Sequence, residues 1–226
     1  MKTIPATPPA LLDMDTWVFD LDNTLYCGSH RLFDQIDLRM TKYLAKSLDI
    51  GLDQAHSVQK SYFRDYGTTL RGMMINHNMD PKPYLDFVHD VDLSSIPAAP
   101  DLQAALTRLP GRKVIFTNAD LAHAERVLKK LGITDHFDAI FDIHDAGFLP
   151  KPEPDVYDLL VKRLKFDPTR AVMVEDIARN LEPAARLGMA TVWVKAMTEC
   201  AICKEEPNGD HVDFVTDDLV TWLAAL

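Results

Sequence analysis

Thr16-Trp17-Val18-Phe19-Asp20-Leu21-Asp22-Asn23-Thr24 joins two kinds of sequence. Its first part is short, β-rich and continuously apolar, the pattern of a parallel strand buried on both faces. Its second part sets two carboxylates, an amide and a hydroxyl directly behind that run. Runs of the same form recur at Lys113-Val114-Ile115-Phe116, Ala139-Ile140-Phe141, Ala171-Val172-Met173-Val174 and Thr191-Val192-Trp193-Val194. Amphipathic helical patterns lie between them. Leu121, Ala124, Leu128 and Leu131 make one stripe, stopped by Gly132, and Val156, Leu159, Leu160 and Leu164 make another, opened by Pro154. Asn180 reads as an N-cap, with Pro183 in the first turn and Gly188 past the end. This βαβ alternation predicts an α/β, doubly wound, Rossmann-like parallel sheet.

One interval departs from the alternation. From about Leu25 to Pro97 no strand pattern appears. Ile36, Met40, Tyr43, Leu44 and Leu48 form a helical stripe, and further helical segments fall around Ala55–Arg64, Leu70–His77 and Tyr84–His89. Residues 25–97 are therefore expected to form an inserted all-helical cap domain, with residues 1–24 and 98–226 forming the catalytic core. Ser94-Ser95-Ile96-Pro97-Ala98-Ala99-Pro100 reads as the return linker. Met73, Met74 and Met79 read as cap core. A surface loop over 196–211 is expected before a last strand and helix.

Composition narrows the function. The chain has 226 residues, 47% hydrophobic and 26% charged, enough for one core and a smaller appended unit. A net charge of -10 repels phosphate polymers, so no nucleic-acid polymer is expected as a partner. Three cysteines, Cys27, Cys200 and Cys203, make an odd, low count that argues against a disulfide scaffold. The first 12 residues carry three prolines and no signal-peptide run. No stretch approaches the ~20 apolar residues of a membrane span. A cytoplasmic protein without a membrane partner, monomeric or homodimeric, is the expectation.

Ligands of open α/β sheets sit at the carboxyl ends of the strands. Behind the apolar runs stand Asp20, Asp22 and Thr24, then Thr117-Asn118, then Glu175-Asp176, while Lys151 lies in Leu149-Pro150-Lys151-Pro152. These groups should converge on one edge. Four carboxylates there repel one another, and a single lysine does not neutralise them. A hard divalent cation does, and Mg²⁺ takes oxygen ligands while keeping waters or phosphate oxygens. Asp20, the main-chain carbonyl of Asp22, and Asp176, with Glu175 direct or through water, are the candidate metal ligands. Asp20 then has the chemistry of a nucleophile toward phosphorus, and Asp22 that of the acid that protonates the leaving oxygen and the base that activates water. The Thr117 hydroxyl and Asn118 N–H, placed at a helix N-terminus, suit a phosphate, with Lys151 offsetting its charge. Thr24 reads as holding the turn that aims Asp22.

Asp20-x-Asp22-x-Thr24, Thr117-Asn118, Lys151 and Glu175-Asp176, in that order, resemble the four motifs of the haloacid dehalogenase-like hydrolase superfamily. The helical insert resembles that superfamily's first cap class. The resemblance implies Asp20 as nucleophile, Asp22 as acid/base and Mg²⁺ as cofactor. Leu32-Phe33-Asp34-Gln35-Ile36, Arg39-Met40, Tyr66-Gly67-Thr68-Thr69-Leu70, Gly72 and Ala178-Arg179-Asn180-Leu181 are similar to the pyrimidine 5'-nucleotidase family within it. That likeness implies a pyrimidine mononucleotide such as UMP or CMP as the small phosphate ester, with Arg39, Tyr66, Thr68 and Thr69 as cap contacts.

Other readings compete. Tyr66–Gly72 reads equally as a helix entry with Thr68 capping and Tyr66 packing. Lys151 also reads as a solvated loop lysine, and Asn118 as a helix cap only. Cys200-x-x-Cys203 with His211 lacks the four ligands of structural zinc and the placement of a redox motif. A phosphatase or phosphomutase acting on another small metabolite, such as phosphoglycolate or a sugar phosphate, would share the same core residues. A 2-haloacid dehalogenase would have no alcohol to protonate and no need of metal; Asp22 and Glu175-Asp176 speak against it. A non-catalytic binding protein on this fold would not need the full catalytic set.

Overall fold

Thr16–Phe19 forms the inner strand β1, and all four of its residues are buried. The structure is a computed structural model and describes residues 9–195 and 210–226. Arg112–Phe116 is β2, Ala139–Phe141 β3, Ala171–Glu175 β4, Ala190–Val194 β5 and Phe214–Thr216 β6. They form one sheet in the order β3-β2-β1-β4-β5-β6, with every neighbouring pair parallel. The order reverses between β1 and β4, so a topological switch point opens there. The apolar runs are continuous because both faces are covered. Trp17 and Phe19 pack into one cluster, and Val18 with Val114 and Phe116 into another across the sheet.

The helices are α1 (Pro9–Leu12), α2 (Leu32–Leu48), α3 (Leu52–Tyr66), α4 (Thr69–His77), α5 (Pro81–Val88), α6 (Pro100–Arg108), α7 (Leu121–Leu131), α8 (Pro154–Leu164), α9 (Ala178–Leu187) and α10 (Leu219–Ala224). Gly132 ends α7 and Gly188 ends α9, both with a left-handed backbone, as the stop signals predict. The start of α9 differs from the expectation. Ile177 is the N-cap, Asn180 lies inside the first turn, and Pro183 sits a turn later. The tight loop after β4 starts the helix early, and the Asn180 carbonyl accepts from the Tyr157 hydroxyl at 2.5 Å.

Helices α2 to α5, the cap segment, lie between β1 and α6. They share a core of Leu44, Ala55, Leu70, Met73, Tyr84, Leu85 and Val88, with Met74 and Met79 packed against it. The packing at the seam is shared. Leu25, Tyr26, Leu32 and Ile96 join the cluster around Trp17, while Ile143 joins the cap cluster. No helix among the described residues is long and apolar enough to cross a membrane. The Cys200-x-x-Cys203 pair lies outside the described residues, and the His211 ring is paired with the Ala178 carbonyl at 3.1 Å.

Within the cap, α4 lies so close to α3 that a Cβ added at Gly72 would fall 2.4 Å from Cγ of Tyr62. Overpacking of this kind costs about 1–3 kcal/mol. Gly72→Ala should therefore lower the unfolding free energy in urea by that amount; an unchanged midpoint would mean that the α3–α4 contact is looser than described.

Candidate active site

The register Phe19↔Val174 carries the next residue of each strand, Asp20 and Glu175, to the same edge at the switch point. The Asp20 amide donates to the Val174 carbonyl at 2.9 Å, so the residue stays in the ladder beyond β1. Asp20, Glu175 and Asp176 are all buried and offer carboxylate oxygens within 4.8 Å of one another. Lys151 is 2% exposed, and its ammonium donates to Asp20 at 2.7 Å, to Glu175 at 2.6 Å and to the Phe116 carbonyl at 2.9 Å. It is a buried ion at the centre of the site, so the solvated-loop reading does not hold. Burial alone would lower the Lys151 pKa, but Asp20 and Glu175 outweigh it and raise it above the ordinary lysine value.

Asn118 reaches across from the β2 end to fix the lysine loop. Its Oδ1 accepts from the Lys151 amide at 2.8 Å and its Nδ2 donates to the Lys151 carbonyl at 3.4 Å. Asn118 and Thr117 lie in the loop before α7 instead of at its first turn, so Asn118 does not cap that helix. Asp120 is the N-cap, accepting from the His123 amide, and the Thr117 hydroxyl accepts from the Ala119 amide at 3.0 Å. Thr24 holds Asp20, donating to its Oδ2 at 3.0 Å, and its hydroxyl makes no bond to Asp22.

The electrostatics fit a divalent cation. Burial first, then repulsion from Glu175, pushes the Asp20 carboxyl up to about 7. Burial and the same neighbour push Asp176 well above its ordinary value. Three buried carboxylates set against one ammonium leave the cluster short of positive charge. The donors are hard oxygens, the set that suits Mg²⁺. The Asp22 side chain stands apart from this group. Its Oδ1 accepts from the Tyr26 hydroxyl at 2.6 Å and pairs with His123 Nε2 at 2.9 Å. Burial opposes ionisation of Asp22, but His123 and Tyr26 outweigh it and hold the carboxyl below its ordinary value.

A cavity between sheet edge and cap is lined by Asp20, Asp22, Thr117, Asn118, Lys151, Glu175 and Asp176 on the core side. Its cap wall is apolar at Phe33, Ile36, Met40 and Phe63, and polar at Asp37, Gln59, Lys60, Thr68 and Thr69. Asp37 accepts from Gln59 at 2.7 Å and from Lys60 at 2.5 Å, and Gln59 accepts from Thr41 at 2.5 Å. Thr68 lines the cavity and caps α4 as well, accepting from the Arg71 amide. Arg39 and Tyr66 do not line it. Arg39 donates to the Phe87 carbonyl and pairs with Asp90, tying α2 to the end of α5, and the Tyr66 hydroxyl points to Asn76 at 3.4 Å. Asp37, Gln59, Lys60, Tyr26 and His123 escape a reading of sequence because no spacing rule links them to the strand ends; each contact depends on how helix faces stack.

The family profile of haloacid dehalogenase-like hydrolases matches residues 14–188. Phosphate metabolism protein 8 of Saccharomyces cerevisiae is 29% identical over 94% of this chain and 74% of that protein. The L-2-haloacid dehalogenase of Xanthobacter autotrophicus superposes with a TM-score of 0.61 at 17% identity, over 93% of this chain and 97% of that one. An HAD phosphatase from Thermococcus onnurineus superposes with a TM-score of 0.59 at 19% identity, over 94% and 97%.

Removing Lys151 would leave three buried acids facing one another, and breaking a buried pair in this way costs about 3–5 kcal/mol. Lys151→Met should lose that much stability in EDTA near neutral pH. Lys151 holds the Asp20 pKa down to about 7, so without it Asp20 stays protonated to higher pH. Below about pH 7 both proteins carry Asp20 protonated and its contribution cancels, and above it the loss should grow as pH rises. Denaturant unfolding at about pH 6 and about pH 9 checks this; equal losses at both would contradict it.

Proposed function

The chain belongs to the haloacid dehalogenase-like hydrolases, and on that footing we propose a Mg²⁺-dependent phosphomonoester hydrolase with Asp20 as nucleophile and a nucleoside 5'-monophosphate, pyrimidine by preference, as substrate. The observation that carries this reading is the Lys151 ammonium bound to both Asp20 and Glu175, with Asp176 beside them and Asp22 at the same cavity. Asp20, Glu175 and Asp176, with the Asp22 carbonyl, would hold the metal. A bound Mg²⁺ would supply the positive charge that lets a carboxylate approach an anionic phosphorus.

In the first half of the reaction an Asp20 carboxylate oxygen forms a bond to phosphorus as the ester P–O bond breaks. The Asp22 carboxyl gives its proton to the departing alcohol oxygen. In the second half Asp22 takes a proton from water, the water oxygen bonds to phosphorus, and the Asp20–phosphorus bond breaks to release phosphate. The dianionic phosphate, a like charge beside Asp22, opposes the depression of its pKa by His123 and Tyr26 and so favours the protonated acid. The Thr117–Asn118 loop binds the phosphoryl oxygens, and the Lys151 ammonium, whose protons are shared among Asp20, Glu175 and the Phe116 carbonyl, offsets their charge.

The cap wall supports a nucleoside leaving group. Apolar Phe33, Ile36 and Phe63 offer a face to a ring, and Asp37, Gln59, Lys60 and Thr69 offer hydrogen-bonding groups beside it. A site that pairs buried polar groups with its substrate rejects analogues lacking the partner far more strongly than an apolar pocket does.

Millimolar Mg²⁺ should raise the melting temperature of chelator-treated protein, as a ligand that binds the folded state does. Asp176→Asn should abolish the rise, and phosphatase activity should stop in EDTA and return with Mg²⁺. Full activity in rigorously chelated enzyme would overturn the metal assignment. For the substrate, kcat/KM for UMP and CMP should exceed that for AMP, GMP and phosphoglycolate, and Thr69→Val or Gln59→Leu should narrow the gap. Equal rates on purines, or a best substrate without a base, would remove the nucleotide reading and leave the phosphatase reading standing.

A further inference from the structure

We infer that Tyr26 and His123 are positioning residues that clamp one oxygen of Asp22 and leave its other oxygen to carry the proton; this rests on the reading of Asp22 as the general acid and base. Both donors converge on Oδ1, Tyr26 from its hydroxyl at 2.6 Å and His123 from Nε2 at 2.9 Å. No hydrogen bond from the described residues falls on Oδ2. A carboxylate held by one oxygen cannot turn about its Cβ–Cγ bond without breaking two hydrogen bonds. Oδ2 therefore keeps one direction through both halves of the reaction.

The tautomer of His123 follows from its surroundings. Its side chain is fully buried, and Nδ1 has no partner. Nε2 faces a carboxylate oxygen, which only accepts, so Nε2 carries a proton and donates it to Asp22. The ring is held in place from two sides. Asp120 caps α7 through its Oδ1 and the His123 amide at 2.7 Å, and pairs through Oδ2 with His89 Nδ1 at 2.9 Å. The His89 ring stacks on His123, with centroids 4.6 Å apart and planes 24° apart. One carboxylate thus anchors the His123 main chain and the His89 ring that stacks on the His123 ring. His89 closes α5, the last helix of the cap, so the cap segment supports the clamp through a ring face.

A merely structural role for these side chains predicts losses that ignore the leaving group. A clamp predicts losses that follow Asp22. General acid–base catalysis is typically worth ~10²–10⁴-fold, and it matters most where the leaving alkoxide is poor. The test compares single-turnover formation and breakdown of the phospho-enzyme with 4-nitrophenyl phosphate and with a primary alkyl phosphate. His123→Phe and Tyr26→Phe should each slow phosphorylation by the alkyl ester about 10-fold or more, with a much smaller effect on the nitrophenyl ester. His123→Gln, which retains a donor, should recover most of the loss. Neither clamp substitution should add to the loss in an Asp22→Asn background, because residues that act through one group are not additive.

Equal losses on both esters, or full additivity with Asp22→Asn, would overturn the clamp. If Asp22→Asn itself showed no dependence on the leaving group, the acid–base reading would fail and the clamp with it. Leaving-group dependence kept in Asp22→Asn and missing from the clamp variants would sink the clamp alone. Tyr26→Phe removes a single hydroxyl and carries the test by itself should His123→Phe not fold.

Discussion

The Lys151 ammonium, buried against Asp20 and Glu175, is the interaction on which the rest of the site depends. Two carboxylates at neighbouring strand ends, with Asp176 beside them, would drive each other toward the protonated form. The lysine lets them share a buried site, while burial first and repulsion from Glu175 second still hold Asp20 and Asp176 above their ordinary pKa values. A cluster of hard oxygen donors short of positive charge is of the kind that suits a divalent cation. The main chain serves this arrangement. The β1–β4 register sets the carboxylates side by side, the Phe116 carbonyl takes the third ammonium proton, and Asn118 pins the lysine loop.

The cap meets the core at that loop. Gly67, between α3 and α4, has φ +80, and a Cβ there would come within 3.2 Å of the Lys151 carbonyl and of Pro150. Only a residue without a side chain brings the cap turn this close in that conformation. Nearby, the Arg179 guanidinium stacks on the Phe63 ring at 4.8 Å and donates to the Phe63 carbonyl. The cavity is thus walled by the strand ends on one side and by the helices of the insert on the other.

The sheet is legible in the sequence because a strand buried on both faces has no polar residue to blur it. Five of the six strands stand within one residue of their apolar runs, and β6 is legible only as a strand after a loop. The helices of the insert are legible for a related reason: the apolar stripes that carry Leu44, Leu70 and Tyr84 pack into one cluster. Polar residues at helix starts are harder to read. Asn180 carries the chemistry of a cap, but an apolar residue takes that place because the β4 loop turns into helix at once. Thr117 and Asn118 have the chemistry of a helix end, yet Asp120 occupies it. Convergence at the strand ends is legible, because the sheet topology dictates it, but contacts made by helix faces are not. Tyr26 and His123 reach Asp22 across sequence gaps of 4 and 101 residues, and nothing in either neighbourhood marks them. Arg39 and Tyr66 carry the right chemistry on the wrong faces of their helices.

The covalent role of Asp20 is the claim from which the metal, the acid and the cap all take their meaning. The most direct measurement is mass spectrometry of acid-quenched Asp22→Asn enzyme after a short reaction with 4-nitrophenyl phosphate and Mg²⁺. Loss of the residue that activates water should let the phospho-enzyme accumulate, with a single phosphoryl group on the peptide spanning β1 and its site on Asp20. A phosphoryl group on a serine, a histidine or any other carboxylate would contradict the account.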